Sequence, residues 1–148
     1  MSNEIGGFGL KVQIIASTSF PSGFTLTQFA DDGDPLDLGA IDITEQAMGL
    51  NGDMVTWSKA NPLPVSINVI PGSDDDKNLS VIAEANRVGR GKKSVRDVIT
   101  MVVIYPDGTS TSLINGKMKN AMFGKSVASA GRMKTKKYDF VFENRVAT

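Results

Sequence analysis

Pro62-Leu63-Pro64-Val65-Ser66-Ile67-Asn68-Val69 alternates apolar and polar side chains inside a fence of prolines at 62, 64 and 71, and Ser73-Asp74-Asp75-Asp76 then opens a helical period. Successive side chains of a strand point to opposite faces, so Val65, Ile67 and Val69 form one buried row. Beyond the Pro71-Gly72 corner, Ser73 is a suitable N-cap and the three aspartates suit the positive end of a helix dipole. Leu79, Ile82, Ala83 and Asn86 continue at helical spacing until Gly89. This is the one helix that the sequence predicts.

Period-2 alternation governs the rest of the chain. Strands are expected over 11–17 and 24–29, separated by Pro21-Ser22-Gly23, and an acidic turn over 31–35 follows. Asn51-Gly52 is a strong hairpin signal, because a type I′ turn needs positive φ at both central positions, and it joins 41–50 to 53–60. The apolar run 98–105 reads as a strand covered on both faces, turned by Pro106-Asp107-Gly108-Thr109 into 111–118. Asn115-Gly116 is read as a bulge within that strand, and Tyr138, Phe140 and Phe142 share one face of the last. The expected fold is mainly β: a single-domain β-barrel or sandwich over 1–148 with one flanking α-helix and a long β-hairpin.

Composition excludes most chemistry. The 148 residues contain neither cysteine nor histidine, which removes thiol nucleophiles, the commonest metal ligands and the side chain that titrates near neutrality. Asp31, Asp32, Asp34 and Asp37 lack the spacing, central glycine and terminal glutamate of a calcium loop. Gly89-Arg90-Gly91-Lys92-Lys93-Ser94 has Asn86 where a phosphate loop needs its first glycine, and it follows a helix instead of a strand. No catalytic, cofactor or metal site is expected, and the reading is non-enzymatic. With no signal-peptide pattern and no apolar run of about 20 residues, a soluble protein made in a cytoplasm without membrane insertion is expected.

The net charge is zero, but its distribution is not uniform. Residues 1–76 carry eleven acids against two lysines, a net −9, and residues 77–148 carry fourteen bases against five acids, a net +9. Head-to-tail stacking would bring opposite signs together at each joint, with Asp31, Asp32, Asp34 and Asp37 facing Lys92, Lys93, Lys134, Lys136 and Lys137. Alternatively, strands of the two halves interleave and the polarity disperses on folding. The basic stretches 87–96 and 132–137 also allow a small nucleic-acid-binding β-barrel, although no aromatic residue is interleaved with them as a stacking platform requires.

The hairpin is irregular. Ile41 and Ile43 lie on one parity and Met48 and Leu50 on the other, and a two-residue loop would pair Met48 with Val55 and Trp57 with Gln46. Either the tip residues Met48, Leu50 and Val55 face a neighbouring molecule, or a bulge near Gln46-Ala47 restores a single face.

The order of these features resembles a tail tube protein of a contractile-tailed bacteriophage: acidic loop, Asn51-Gly52 hairpin, the Pro62–Val69 strand, the Ser73–Arg87 helix and the Tyr138–Glu143 strand. The resemblance implies a virion protein assembled in the host cytoplasm, with six copies per ring and rings stacked into a hollow tube that conducts double-stranded DNA. It implies sheath and tail-completion or baseplate proteins as partners, and a hairpin that helps to line the lumen. Asp42, Thr44 and Gln46, polar and without positive charge, are the expected lumen face.

Overall fold

The computed structural model describes residues 9–29, 35–58, 60–127, 129, 131 and 133–147. Nine strands and one helix follow in the order β1 (Lys11–Ala16), β2 (Phe20–Leu26), β3 (Leu36–Leu38), β4 (Thr44–Met48), β5 (Met54–Ser58), β6 (Leu63–Val69), α1 (Asp74–Asn86), β7 (Ile99–Ile104), β8 (Ser110–Ala121) and β9 (Lys136–Ala147). Seven strands form one antiparallel sheet in the order β2-β1-β7-β8-β9-β6-β3, and β4-β5 stand apart as a two-stranded sheet. The mainly-β expectation holds, as one curled sheet and not as two facing ones.

Curling has local causes. Register breaks lie between Ile14 and Ala16, between Ile99 and Met101, and between Met118 and Asn120, and each adds bend and twist. The second includes the Asn115-Gly116 bulge, with Asn115 at φ 54. Gly116 is required there because a Cβ would overlap the Phe142 ring and stand 3.1 Å from the Ile99 carbonyl oxygen. The curl brings the chain beyond β2 onto β6, where Phe29 bridges Val69 and the Ile70 N–H donates to the Gln28 carbonyl (3.1 Å).

The concave side holds the core. Val12, Ile14, Val65, Ile67, Val69, Met101, Val103, Tyr138, Phe140 and Phe142 alternate inward and are fully buried, with Leu79 and Ile82 of α1 against them. Complete burial of such a side chain contributes roughly 1.5–3 kcal/mol, so this row is the main source of stability.

Two expectations are corrected, and a third falls outside the described residues. The chain reverses at Ser17–Ser19, not at Pro21-Ser22-Gly23, which lie within β2. The buried Asp97 carboxylate accepts the Thr18 and Ser19 N–H groups (2.8 and 3.0 Å) and so builds the turn, while Pro21 is tolerated because β2 is an edge strand. On β7 only alternate residues are fully buried, because α1 and the opposite wall cover just the inner face. The acidic stretch 31–34 lies outside the described residues, and Asp37 falls on β3, opposite Ser66.

α1 starts as expected, with Ser73 Oγ accepting the Asp76 N–H at 3.2 Å. Two of its aspartates do more than complement the dipole. Asp75 Oδ2 accepts the Thr27 and Gln28 N–H groups (2.8 and 2.7 Å), clamping the segment that follows β2. Asp76 is buried, accepting the Gly72 N–H (2.8 Å) and the Tyr138 hydroxyl (2.7 Å).

Candidate assembly surface

The β4-β5 hairpin is the outstanding surface feature. Its pairing is Thr44↔Ser58, Glu45↔Trp57, Gln46↔Thr56, Ala47↔Val55 and Met48↔Met54. The Gly49 N–H donates to the Asp53 carbonyl (2.7 Å) and the Gly52 N–H to the Gly49 carbonyl (3.0 Å). Leu50, Asn51 and Gly52 therefore form a three-residue loop with Gly52 at φ 85, a type I turn closed by a left-handed glycine. The expected two-residue loop is wrong, since Asn51 does not take positive φ.

This one-residue change moves the side chains. Met48 lies opposite Met54 and shares its face with Thr44, Gln46 and Thr56, whereas Val55 falls on the other face with Ala47 and Trp57. Among the described residues nothing covers either face. Met48 is 66%, Met54 63%, Val55 59% and Trp57 45% exposed, and Leu50 at the tip is fully exposed. The proposed lumen residues Asp42, Thr44 and Gln46 are exposed as well, and the Asn61 side chain donates to the Asp42 carbonyl at the base.

The expected basic interface residues separate into two groups. Lys93, Lys134 and Lys137 are exposed. Lys136 is not: it is 3% exposed, its Nζ 3.6 Å from Asp76 Oδ1, because the first inward position of β9 falls on a lysine. Lys92 is also engaged within the chain, its Nζ donating to the Glu84 and Arg87 carbonyls at the end of α1. Strand order also disperses the linear charge polarity, since β7, β8 and β9 lie in the centre with first-half strands on both sides.

A positional polarity nevertheless emerges. β7, β8 and β9 are antiparallel neighbours, so the basic connections 87–98 and 122–135 leave from one end of the sheet. Val69 pairs with Lys136 at that end, and Leu63 pairs with Phe142 towards the other. The hairpin, which enters β6 at Leu63, therefore springs from the opposite end. It carries Asp42, Glu45 and Asp53, with no lysine or arginine from 41 to 58.

At the basic end, the last turn of α1 and the end of β8 enclose a groove of about 370 Å³, lined by Ala83, Arg87, Met118, Lys119, Met122 and Phe123 among others. Phe123 is fully exposed. Sequence reading missed this groove, and it also missed that Met54 pairs with Met48 and that Trp57 shares a face with Val55. The available signal was Gly49, which extends the loop glycines to Gly49-Leu50-Asn51-Gly52 and permits the longer turn. Among the described residues no group of three or more metal-ligating side chains is assembled, and no helix is long and apolar enough to cross a membrane.

The fold occurs in contractile injection assemblies. A chain of the cryo-EM structure of the anti-feeding prophage (AFP) baseplate superimposes with a TM-score of 0.59 at 11% identity, covering 100% of this chain and 97% of that one. A chain of the PVC sheath-tube complex in its extended state, an extracellular contractile injection system, gives 0.58 at 9% identity, with 100% and 93% covered. A chain of the anti-feeding prophage cap gives 0.55 at 9%, again with 100% and 93% covered. No curated protein sequence is significantly similar to the chain. The sequence profile of tail fiber protein gp32 matches residues 3–146, nearly the whole length, and the chain therefore belongs to the tail fiber protein gp32 family.

Proposed function

We propose that this protein is the ring-forming subunit of a tail tube, six copies to a ring and rings stacked into a conduit for double-stranded DNA. The observation that carries the reading is the β4-β5 hairpin, a two-stranded sheet with exposed apolar side chains on both faces and no cover among the described residues. An isolated two-stranded ribbon is marginal in water, so such a ribbon is stabilised by joining a neighbour. Joined edge to edge, the hairpins of a ring form a continuous sheet, which satisfies their open backbone groups. Asp42, Thr44 and Gln46 then face the lumen, and their lack of positive charge lets DNA slide without counterion-release binding. The role is structural and non-catalytic, in a virion assembled in the host cytoplasm, with sheath and baseplate or tail-completion proteins as partners.

The full-length likeness to chains in sheath-tube and baseplate assemblies supports this reading. A fibre subunit is the second reading, favoured by the description of the family. Electron microscopy of the purified protein in negative stain separates them. Rings or hollow tubes are expected; solid rods favour the fibre, and dispersed monomers at high concentration overturn self-assembly. A nucleic-acid-binding monomer loses ground because Lys92, Lys117 and Lys136 are engaged by carbonyls or a carboxylate of their own chain.

A further inference from the structure

We infer that the groove between the end of α1 and the end of β8 receives the hairpin tip of the next copy of this chain. The inference rests on the self-assembly reading and adds its contact. The two surfaces are complementary in kind. The tip offers Met48, Leu50 and Met54, all exposed, and the groove offers Ala83, Met118, Met122 and the fully exposed Phe123. They are complementary in charge. Asp53 stands beside the tip on a segment with no lysine or arginine from 41 to 58, and Lys119 stands at the groove, with Arg90, Lys93 and Lys125 exposed on the connections from the same end, whereas Arg87 at the groove is paired with Glu84 (2.8 Å).

Their placement is complementary too. The hairpin leaves the sheet by the Leu63 side of β6 and the groove lies at the Ala121 end of β8, which pairs with Tyr138 near the opposite end of the same strands. One chain therefore presents tip and groove at opposite ends. Such a contact is heterologous: each copy donates its tip and receives another, and the series continues without closing on a dimer. Charged groups at the rim set the register and the apolar insert supplies the affinity.

The absence of cysteine permits a direct test. A variant carrying Leu50→Cys and Phe123→Cys, assembled and mildly oxidised, is expected to run as a ladder of disulfide-linked multimers on denaturing gels. Leu50→Cys or Phe123→Cys alone should give no species beyond a dimer. Both positions are fully exposed, so folding is not at issue. Tubes that form normally but give no ladder overturn the groove contact and leave the tube standing. Wild-type protein that never assembles overturns both.

A mixing experiment checks the contact independently. Leu50→Asp destroys the tip and Phe123→Asp the groove, and each variant alone should lose growth into tubes. Mixed, they retain one intact pairing and should sediment as a complex of the two that does not grow into tubes. Wild-type assembly by either variant alone overturns the inference.

Discussion

Lys136 Nζ lies 3.6 Å from Asp76 Oδ1, with each side chain 4% exposed, so the first residue of β9 is tied to the first turn of α1 inside the protein. The Tyr138 hydroxyl, 2.7 Å from the same oxygen and 2.8 Å from Ser80 Oγ, completes the cluster. Burial holds the phenol above its ordinary value, outweighing the Ser80 hydroxyl that lowers it, and the Asp76 carboxylate adds to the rise, so Tyr138 stays a neutral donor. The cluster sets the helix against the sheet, and through the helix it positions the wall of the groove.

Replacing one partner leaves the other charged and buried. Lys136→Met should lower stability by about 3–5 kcal/mol in urea unfolding, and Asp76→Asn should do the same. Lys134→Glu and Lys137→Glu, at exposed positions, should leave the unfolding midpoint unchanged while weakening assembly in a salt-dependent way. Equal sensitivity of stability at all three lysines would show that the ion pair has no special weight.

Gly116→Ala places a methyl group in the space held by the Phe142 ring and close to the Ile99 carbonyl. The bulge must then open or the ring must leave its position, at a cost of roughly 1–3 kcal/mol. Thermal denaturation measures this, and a wild-type midpoint would mean that the bulge has room to spare.

Asp97 predicts an acid response. Burial by itself raises its carboxyl, but the Ser19 hydroxyl, the Asn86 amide and the Ser19 and Thr18 N–H groups outweigh burial and hold it below the ordinary range. A carboxyl lowered by folding contributes stability above its unfolded value and loses that contribution as pH falls through the folded one. Stability should therefore fall as pH drops below about 4. Asp97→Asn should flatten that decline and lower stability near neutrality by about 1–3 kcal/mol. Denaturation curves recorded across this range, with parallel slopes for the two proteins, would exclude Asp97 as the responsible group.

Met48→Ser, Leu50→Ser and Met54→Ser together should leave circular dichroism and the unfolding midpoint as in the wild type, while sedimentation shows monomers only. Each apolar group covered by a neighbour contributes about 1.5–3 kcal/mol to assembly, and none contributes to the intrachain core. Unfolding of the triple variant would be incompatible with the exposed hairpin.

Asp42→Lys, Thr44→Lys and Gln46→Lys together should leave tubes intact under the microscope and slow genome ejection at low salt. Added salt should restore the rate, since the new phosphate contacts weaken as counterion release becomes less favourable. Unchanged ejection at every salt concentration would mean that this face is not in the channel.

Where a single local pattern decided the outcome, the sequence was readable. Ser73 caps the helix, Val65, Ile67 and Val69 bury one row, Tyr138, Phe140 and Phe142 another, and Asn115-Gly116 is a bulge. Side-chain period, capping oxygens and left-handed backbone are properties of a few neighbouring residues, and no distant partner is needed to fix them. The candidate assembly surface was legible in part, because apolar residues on a hairpin with no consistent core face already point outward.

Tertiary structure alone decided the rest. Ser17–Ser19 became the first turn because Asp97, nearly eighty positions later, holds its N–H groups. Lys136 became a core residue because Asp76 waits opposite it, and Lys92 became a helix cap because the end of α1 lies within its reach. The hairpin register depended on one extra loop residue, a choice that Asn51-Gly52 leaves open. By itself the sequence determined a mainly-β chain with one capped helix, since these follow from composition and short-range period. Which charges remain on the surface, and which apolar residues are buried in the core, depended on pairings between distant strands that local pattern does not encode.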